Sequence, residues 1–120
     1  MRFYETVFLM RQEVTSADVD KTIEEFTTLL NNDNSKVIKT EYWGIMNLAY
    51  DINNNKKAHY VLLCSESTPD QIRNLEHKMK FNEDILRYMS LKVDSISKEA
   101  SPILKEKVDN EENTVNVTAS

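Results

Sequence analysis

Hydrophobic and polar residues alternate along four stretches of the chain and follow a helical period along two others. Alternation with a period of two predicts strands, and recurrence every three or four residues predicts amphipathic helices. The predicted strands span residues 2–10, 36–52, 58–66 and 85–94. The apolar faces of the two predicted helices consist of Val19, Ile23, Phe26 and Leu30, and of Ile72, Leu75 and Met79.

Local signals mark where both helices begin. Thr15 precedes a first turn that contains an acid, as a hydroxyl-bearing N-cap does. Thr68 can cap the second helix, with Pro69 at the first helical position and Gln71 where a capping box places it. Asparagines end the first helix at 31–34, and a polar turn at 53–57 joins the second and third strands.

The order strand, helix, strand, strand, helix, strand predicts an α+β chain with the ferredoxin-like split βαβ fold. Right-handed crossovers place both helices on one face of a four-stranded antiparallel sheet and leave the other face open. If Tyr4, Phe8 and Met10 point at the helices, the open face carries Phe3, Val7 and Leu9. An open face this apolar is a candidate binding surface.

The stretch EYWGIMNLAY, residues 41–50, contains the chain's single tryptophan and its single glycine. A glycine within a strand marks a bulge or a close backbone approach, so Gly44 predicts a bent second strand. The strand is apolar on both sides of this bend. Two interpretations stay open: a surface that a partner covers, or an ordinary core strand whose bulge adds twist.

Length and composition indicate one domain, residues 1–94, followed by a disordered acidic tail, residues 95–120. The tail lacks aromatic residues and is rich in Ser, Asn, Glu and Lys, so it buries too little apolar surface to offset the entropy of ordering. The net charge of −5 argues against a polyanion partner, yet acids concentrate in residues 18–25 and in the tail. A local basic edge is therefore compatible with an acidic protein.

The single cysteine, Cys64, excludes an internal disulfide and is expected to be a small buried hydrophobe. With two histidines, the chain does not fit a usual structural zinc site. The N-terminus lacks the features of a signal peptide, and no window reaches transmembrane length. We therefore expect a soluble, cytoplasmic protein without a metal or other cofactor.

The candidate catalytic groups do not form a constellation. His59 and Cys64 are five residues apart in one predicted strand and point to opposite faces. His77 is expected on the exposed side of the second helix. The loop RQEVTS after the first strand contains Arg11 but no glycine, which disfavours a phosphate cradle. The chain is therefore predicted not to be an enzyme. The third strand also lacks the aromatic signature for stacking RNA bases, which leaves binding by shape and phosphate contacts.

Several segments, in order, resemble the family of the sixth protein of the bacterial small ribosomal subunit. The start MRFYETVFLMR looks like its M-R-x-Y-E opening, and EYWGIMNLAYDI is similar to its E-x-W-G-x-R-x-L-A-Y-x-I signature. KKAHYVLL resembles the K-x-x-H-Y segment, and NEDILRYMSLKV the final strand. The resemblance covers residues 1–94. Two departures occur: Met46, followed by Asn47, replaces the signature arginine, and Asn32 to Asn34 replace a glycine pair.

The resemblance implies a structural protein of the small subunit that binds the central domain of its ribosomal RNA. It also implies a heterodimer with the eighteenth small-subunit protein. The positions carried over as RNA-binding are Arg2, Lys56, Lys57 and Arg87, and those carried over as partner-interface residues are Trp43, Tyr50 and His59. The alternative from another class is a ferredoxin-like ligand-sensing or interaction module that homodimerises through its sheet.

Overall fold

Six elements form the structure, a computed structural model that describes residues 2–97. They are β1 (Arg2–Arg11), α1 (Ser16–Leu30), β2 (Ser35–Ile52), β3 (Asn55–Ser67), α2 (Pro69–Lys80) and β4 (Ile85–Val93). The sheet order is β2-β3-β1-β4, and every neighbouring pair is antiparallel. The predicted ferredoxin-like split βαβ fold is confirmed.

Both helices begin at the predicted caps. The Thr15 hydroxyl accepts a hydrogen bond from the Asp18 backbone N–H at 3.2 Å, and the Thr68 hydroxyl accepts one from the Gln71 N–H at 3.3 Å. The Gln71 side chain accepts a hydrogen bond from Asn32 Nδ2 at 3.1 Å, so it joins the start of α2 to the turn before β2.

The main core lies between the sheet and the two helices. It combines residues of β1, β3 and both helices: Phe8, Met10, Val14, Val19, Phe26, Leu30, Val61, Leu63, Leu75 and Met79. Phe8 meets Phe26 edge to face, with ring centroids 5.4 Å apart. Phe8 and Met10 therefore face the helices as predicted, and Val7 packs on the other side of the sheet.

A bulge bends β2 at the predicted glycine. Tyr42 pairs with Val61 and Gly44 with Tyr60, so Trp43 and Gly44 together oppose one residue of β3. Gly44 has a φ of 87°, which a residue with a Cβ adopts only at a cost. Because one extra residue shifts the alternation, Trp43 and Met46 end on the same face of the sheet.

The β2–β3 turn is tighter than the sequence suggests. Ile52 pairs with Asn55, which leaves Asn53 and Asn54 as a two-residue turn. Both have positive φ, 49° and 66°, as a type I′ hairpin turn requires and as asparagine tolerates. Lys56 and Lys57 therefore belong to β3, and the predicted strand start at Ala58 is too late.

The chain that follows β4 returns to the sheet. Ile96 packs against side chains of β2 and β3 on the face that the helices do not cover. The rest of the predicted tail, residues 98–120, lies outside the described residues, as does residue 1. Within 2–97, no helix has the length and apolar character needed to cross a membrane.

Candidate partner and nucleic-acid surfaces

A small apolar cluster occupies the open face of the sheet. Its buried members are Trp43, Leu62 and Cys64; packed against them are Val7, Met46, Tyr60 and Ile96. We call these seven residues the Trp43 cluster. The Trp43 ring stacks on Tyr60 with centroids 6.4 Å apart, and only 8% of Trp43 is exposed. The tryptophan predicted at a partner interface is thus already largely covered within this chain.

Three alternate residues of β2 form a polar network beside this cluster. The indole N–H of Trp43 donates to Glu41 Oε1 at 2.8 Å, and Lys39 Nζ lies 3.3 Å from Glu41 Oε2. Glu41 is only 6% exposed. A buried carboxylate is tolerated when its oxygens have such partners. Our sequence reasoning missed this network, although the pattern Lys-x-Glu-x-Trp places all three residues on one strand face.

Cys64 lies inside the Trp43 cluster with no exposed surface. Burial raises the pKa of its thiol to about 11; Glu5 and Glu41 add to this, and Lys39 opposes it. The thiol is therefore protonated at neutral pH and is a poor nucleophile. His59 lies on the opposite face, as the sequence predicts.

His59 is 2% exposed and belongs to the helix side of the sheet. Its Nδ1 lies 2.7 Å from the Tyr42 hydroxyl, and its Nε2 lies 2.7 Å from the Val14 carbonyl oxygen. Because a carbonyl only accepts, Nε2 carries a proton and donates it to Val14. His59 thereby joins β2 to the loop before α1. Its interface role stays a prediction, for a side chain that is almost fully buried within the chain.

Tyr50 and Arg87 meet across the open face. The Arg87 guanidinium lies 5.4 Å from the centroid of the Tyr50 ring and donates from Nη1 to the Tyr50 hydroxyl at 2.5 Å. β2 and β4 are opposite edges of the sheet, about 14 Å apart at the usual spacing between strands. The contact therefore requires the hairpin end of β2 to curl over the sheet. It joins a predicted interface residue to a predicted RNA-binding residue.

The four predicted RNA-binding residues are exposed but do not form one group. Lys56 and Lys57 lie beside the hairpin turn, and Arg87 is brought to the same end through Tyr50. Arg2 pairs with Ser67 at the far end of β3. Ten residues of strand separate Lys57 from Ser67, which is about 33 Å. The hairpin end thus holds three of the four cations.

Arg11, the last residue of β1, is paired with acids. Arg11 donates to Asp84 from Nε at 3.1 Å and from Nη2 at 2.6 Å, and it lies 3.6 Å from Glu13. The bond with Asp84 raises the pKa of Arg11. Arg11 is therefore occupied by acids, which agrees with the view that the loop after β1 is not a phosphate cradle. Among residues 2–97, no group of three His, Cys, Asp or Glu side chains could hold a metal ion.

Comparisons with known proteins agree on one family. Residues 3–92 match the sequence model described as Ribosomal protein S6. The small ribosomal subunit protein bS6 of Rickettsia bellii (strain OSU 85-389) is 48% identical over 120 residues, which is 100% of both chains. The bS6 of Rickettsia prowazekii (strain Madrid E) is 50% identical over 105 residues, 88% of this chain and 87% of the relative.

A solved structure supports the fold independently of sequence identity. The crystal structure of 30S ribosomal protein S6 from Thermotoga maritima superposes with a TM-score of 0.71 at 16% identity and covers 96% of this chain and 97% of that one. The structural likeness extends to the fold, and the family model and the relatives lead to the conclusion: the chain belongs to the ribosomal protein S6 family and is a structural protein of the small subunit of the cytoplasmic ribosome.

Proposed function

We propose that the protein binds the central domain of small-subunit ribosomal RNA together with the eighteenth small-subunit protein. The observation that carries the RNA half is the gathering of Lys56, Lys57 and Arg87 at the hairpin end, through the contact between Arg87 and Tyr50. Clustered cations at one end of an acidic protein can engage phosphates locally without a basic surface elsewhere.

The protein-partner half rests on the open face. Met89 and Leu91 of β4 are 54% and 52% exposed there, on the strand that also carries Arg87. Exposed apolar side chains of this size, rimmed by charges, fit a protein interface better than a nucleic-acid one. The partner would cover this part of the face, and the combined surface would hold phosphates that neither protein holds well alone.

The proposed role is assembly rather than catalysis. Cys64, the one thiol, is protonated and buried, and His59 is held by two structural hydrogen bonds. The mechanism would be the neutralisation of a few phosphates. With three such contacts, the slope of log affinity against log salt would be about −2 to −3.

The deciding experiment is a gel-shift titration against central-domain RNA, with and without the eighteenth small-subunit protein, at two salt concentrations. We expect a shift at low protein concentration only when the partner is present, and weaker binding at the higher salt. Tight binding by the isolated chain with a steep salt slope would contradict the proposal that RNA binding needs both proteins. Absence of a shift under all conditions would contradict the RNA role itself.

Charge variants locate the contact. The double variant Lys56→Gln/Lys57→Gln should weaken the ternary complex and lower the magnitude of the salt slope by about 2. Lys21→Gln, on the exposed surface of α1, removes a charge away from the hairpin and serves as the control. If Lys21→Gln weakens RNA binding as much, per charge removed, as the double variant does, the loss of affinity comes from net charge and not from a site at the hairpin.

A further inference from the structure

The segment after β4 crosses the sheet about as far as its length allows. β4 is an edge strand and ends at Val93, whereas the Trp43 cluster has its buried members on β2 and β3. Three residues of extended chain span at most about 10 Å, which is about two inter-strand spacings. To place Ile96 on this cluster, the chain must cross over β1 almost directly.

Two halves of the same open face differ in exposure. Trp43, Leu62 and Cys64 are buried, although neither α1 nor α2 covers them, whereas Met89 and Leu91 of β4 are about half exposed. Six members of the Trp43 cluster belong to the sheet itself, and Ile96 is the one described member that does not. Side chains of one sheet face flank each other, but a cap must come from a second layer. Ile96 supplies that layer.

We propose that residues Asp94–Ser97 are a strap, anchored by Ile96, that caps the Trp43 cluster in the free chain and is displaced when a protein partner docks on this face. That the partner displaces the strap rests on the proposed function, whereas the capping of the Trp43 cluster by Ile96 does not. Ile96 is half-buried, and the preceding Asp94 and Ser95 are exposed. Opening the strap exposes the cluster without disturbing the core between sheet and helices, so it is a local event.

The chain carries two unique reporters inside the cluster, its single tryptophan and its single cysteine. In the full chain under native conditions, Ile96→Ser should increase the rate at which a thiol reagent labels Cys64 by about tenfold, through local opening. Acrylamide should quench Trp43 fluorescence more strongly. Ile96→Val keeps a branched apolar anchor and should behave like the wild type. Leu91→Ser removes an exposed apolar residue of the same face and should not change labelling.

Labelling of Cys64 at low urea concentrations distinguishes local opening of the strap from a general loss of fold stability. Labelling through local opening is nearly independent of urea, whereas labelling through global unfolding rises with its full denaturant dependence. Unchanged labelling and quenching in Ile96→Ser would overturn the cap. The cap would also be overturned if the labelling rate of Cys64 in Ile96→Ser depended on urea as strongly as global unfolding does.

Displacement is tested by titration with the eighteenth small-subunit protein. If the strap competes, Ile96→Ser binds this partner about three- to tenfold more tightly than wild type or Ile96→Val. Equal or weaker binding by Ile96→Ser would overturn displacement; weaker binding would make Ile96 part of the interface. If no variant binds, the proposed partner fails and displacement fails with it, while the cap is still judged by the labelling of Cys64.

Discussion

At the scale of single residues, the face of the sheet decides the chemistry of each polar side chain. Cys64 and His59 belong to one strand, yet one lies in a dry apolar cluster and the other is held between two oxygens. Glu41 is buried but paired with Lys39 and Trp43. Each of these groups is held by fixed partners within the chain, which suits a protein that binds rather than reacts.

The raised pKa of Cys64 predicts an alkaline loss of stability. The folded thiol has a pKa of about 11, against 9.0 for the unperturbed group. The stabilisation is therefore fully present below pH 9 and is lost as pH rises toward 11, since only the unfolded state ionises in that window. The loss should approach about 2 to 3 kcal/mol in the free energy of unfolding.

Urea titrations of the wild type and of Cys64→Ala between pH 8 and 11 measure this effect. The difference in unfolding free energy between the two should shrink across the window, because alanine has no proton to lose. Tyr42, whose pKa burial also raises, titrates in both proteins and cancels. A pH-independent difference would contradict the assignment.

Tyr50 is predicted to position the cations at the hairpin end. Tyr50→Phe keeps the ring under the Arg87 guanidinium and loses the hydroxyl acceptor; Tyr50→Ala loses both. An exposed cation–π contact is worth about 0.5 to 1 kcal/mol, so Tyr50→Ala should weaken RNA binding two- to fivefold, and Tyr50→Phe by less. Filter binding in the presence of the partner protein measures both. Equal losses would assign the effect to the hydroxyl alone.

At the scale of elements, the bulge at Gly44 controls what β2 presents on each face. Gly44→Ala places a Cβ at a φ of 87° and should lower the free energy of unfolding by about 1 to 2 kcal/mol. Gly44→Asn should cost less, because asparagine tolerates positive φ better. Chemical denaturation of both variants tests this order. If alanine and asparagine cost the same, backbone strain is not the cause.

The N-caps of the two helices are expected to contribute similar amounts to the stability of the fold. Thr68→Ala removes the acceptor for the Gln71 N–H and should cost about 1 kcal/mol; Thr15→Ala should cost a similar amount at α1. Thermal unfolding of each variant measures the cost. Because Ser16→Ala leaves both caps in place, it should have much less effect, and a loss as large as that of Thr15→Ala would argue against the cap.

The elements and the caps were predictable because their signals are local. The helical stripes, the two threonine caps and the bulge at Gly44 each depend on neighbours in sequence. The contacts of Tyr50 with Arg87 and of Ile96 with the Trp43 cluster were not predictable, since they join opposite edges of the sheet. The contact of His59 with Val14 was not predictable for a related reason: Val14 is distant in sequence and lies in a loop.

At the scale of the whole molecule, charged residues and exposed apolar side chains are distributed unevenly over the surface. The net charge is −5, yet the hairpin end carries exposed Lys56, Lys57 and Arg87. One half of the open face is capped and the other is exposed. This uneven surface leaves separate regions for the proposed RNA contact and for the proposed protein partner.

Truncation tests how far the folded unit extends. A chain that ends after Ser97 should unfold cooperatively and keep the wild-type emission of Trp43. A chain that ends after Asp94 should still fold, because the core between sheet and helices is intact, but its emission should shift to longer wavelength. Fluorescence and urea unfolding of the two chains measure this. Identical spectra would show that the cover of Trp43 does not need Ile96.

β2 forms one edge of the sheet, and its 18 residues offer a long row of backbone groups to any passing strand. Such an edge is a template for aggregation. Three register shifts interrupt β2 along its length, between Val37 and Lys39, Tyr42 and Gly44, and Asn47 and Ile52. A second copy cannot follow these breaks with a regular strand. We therefore expect the irregularities that shape the open face also to disfavour edge-to-edge pairing between two copies of the chain.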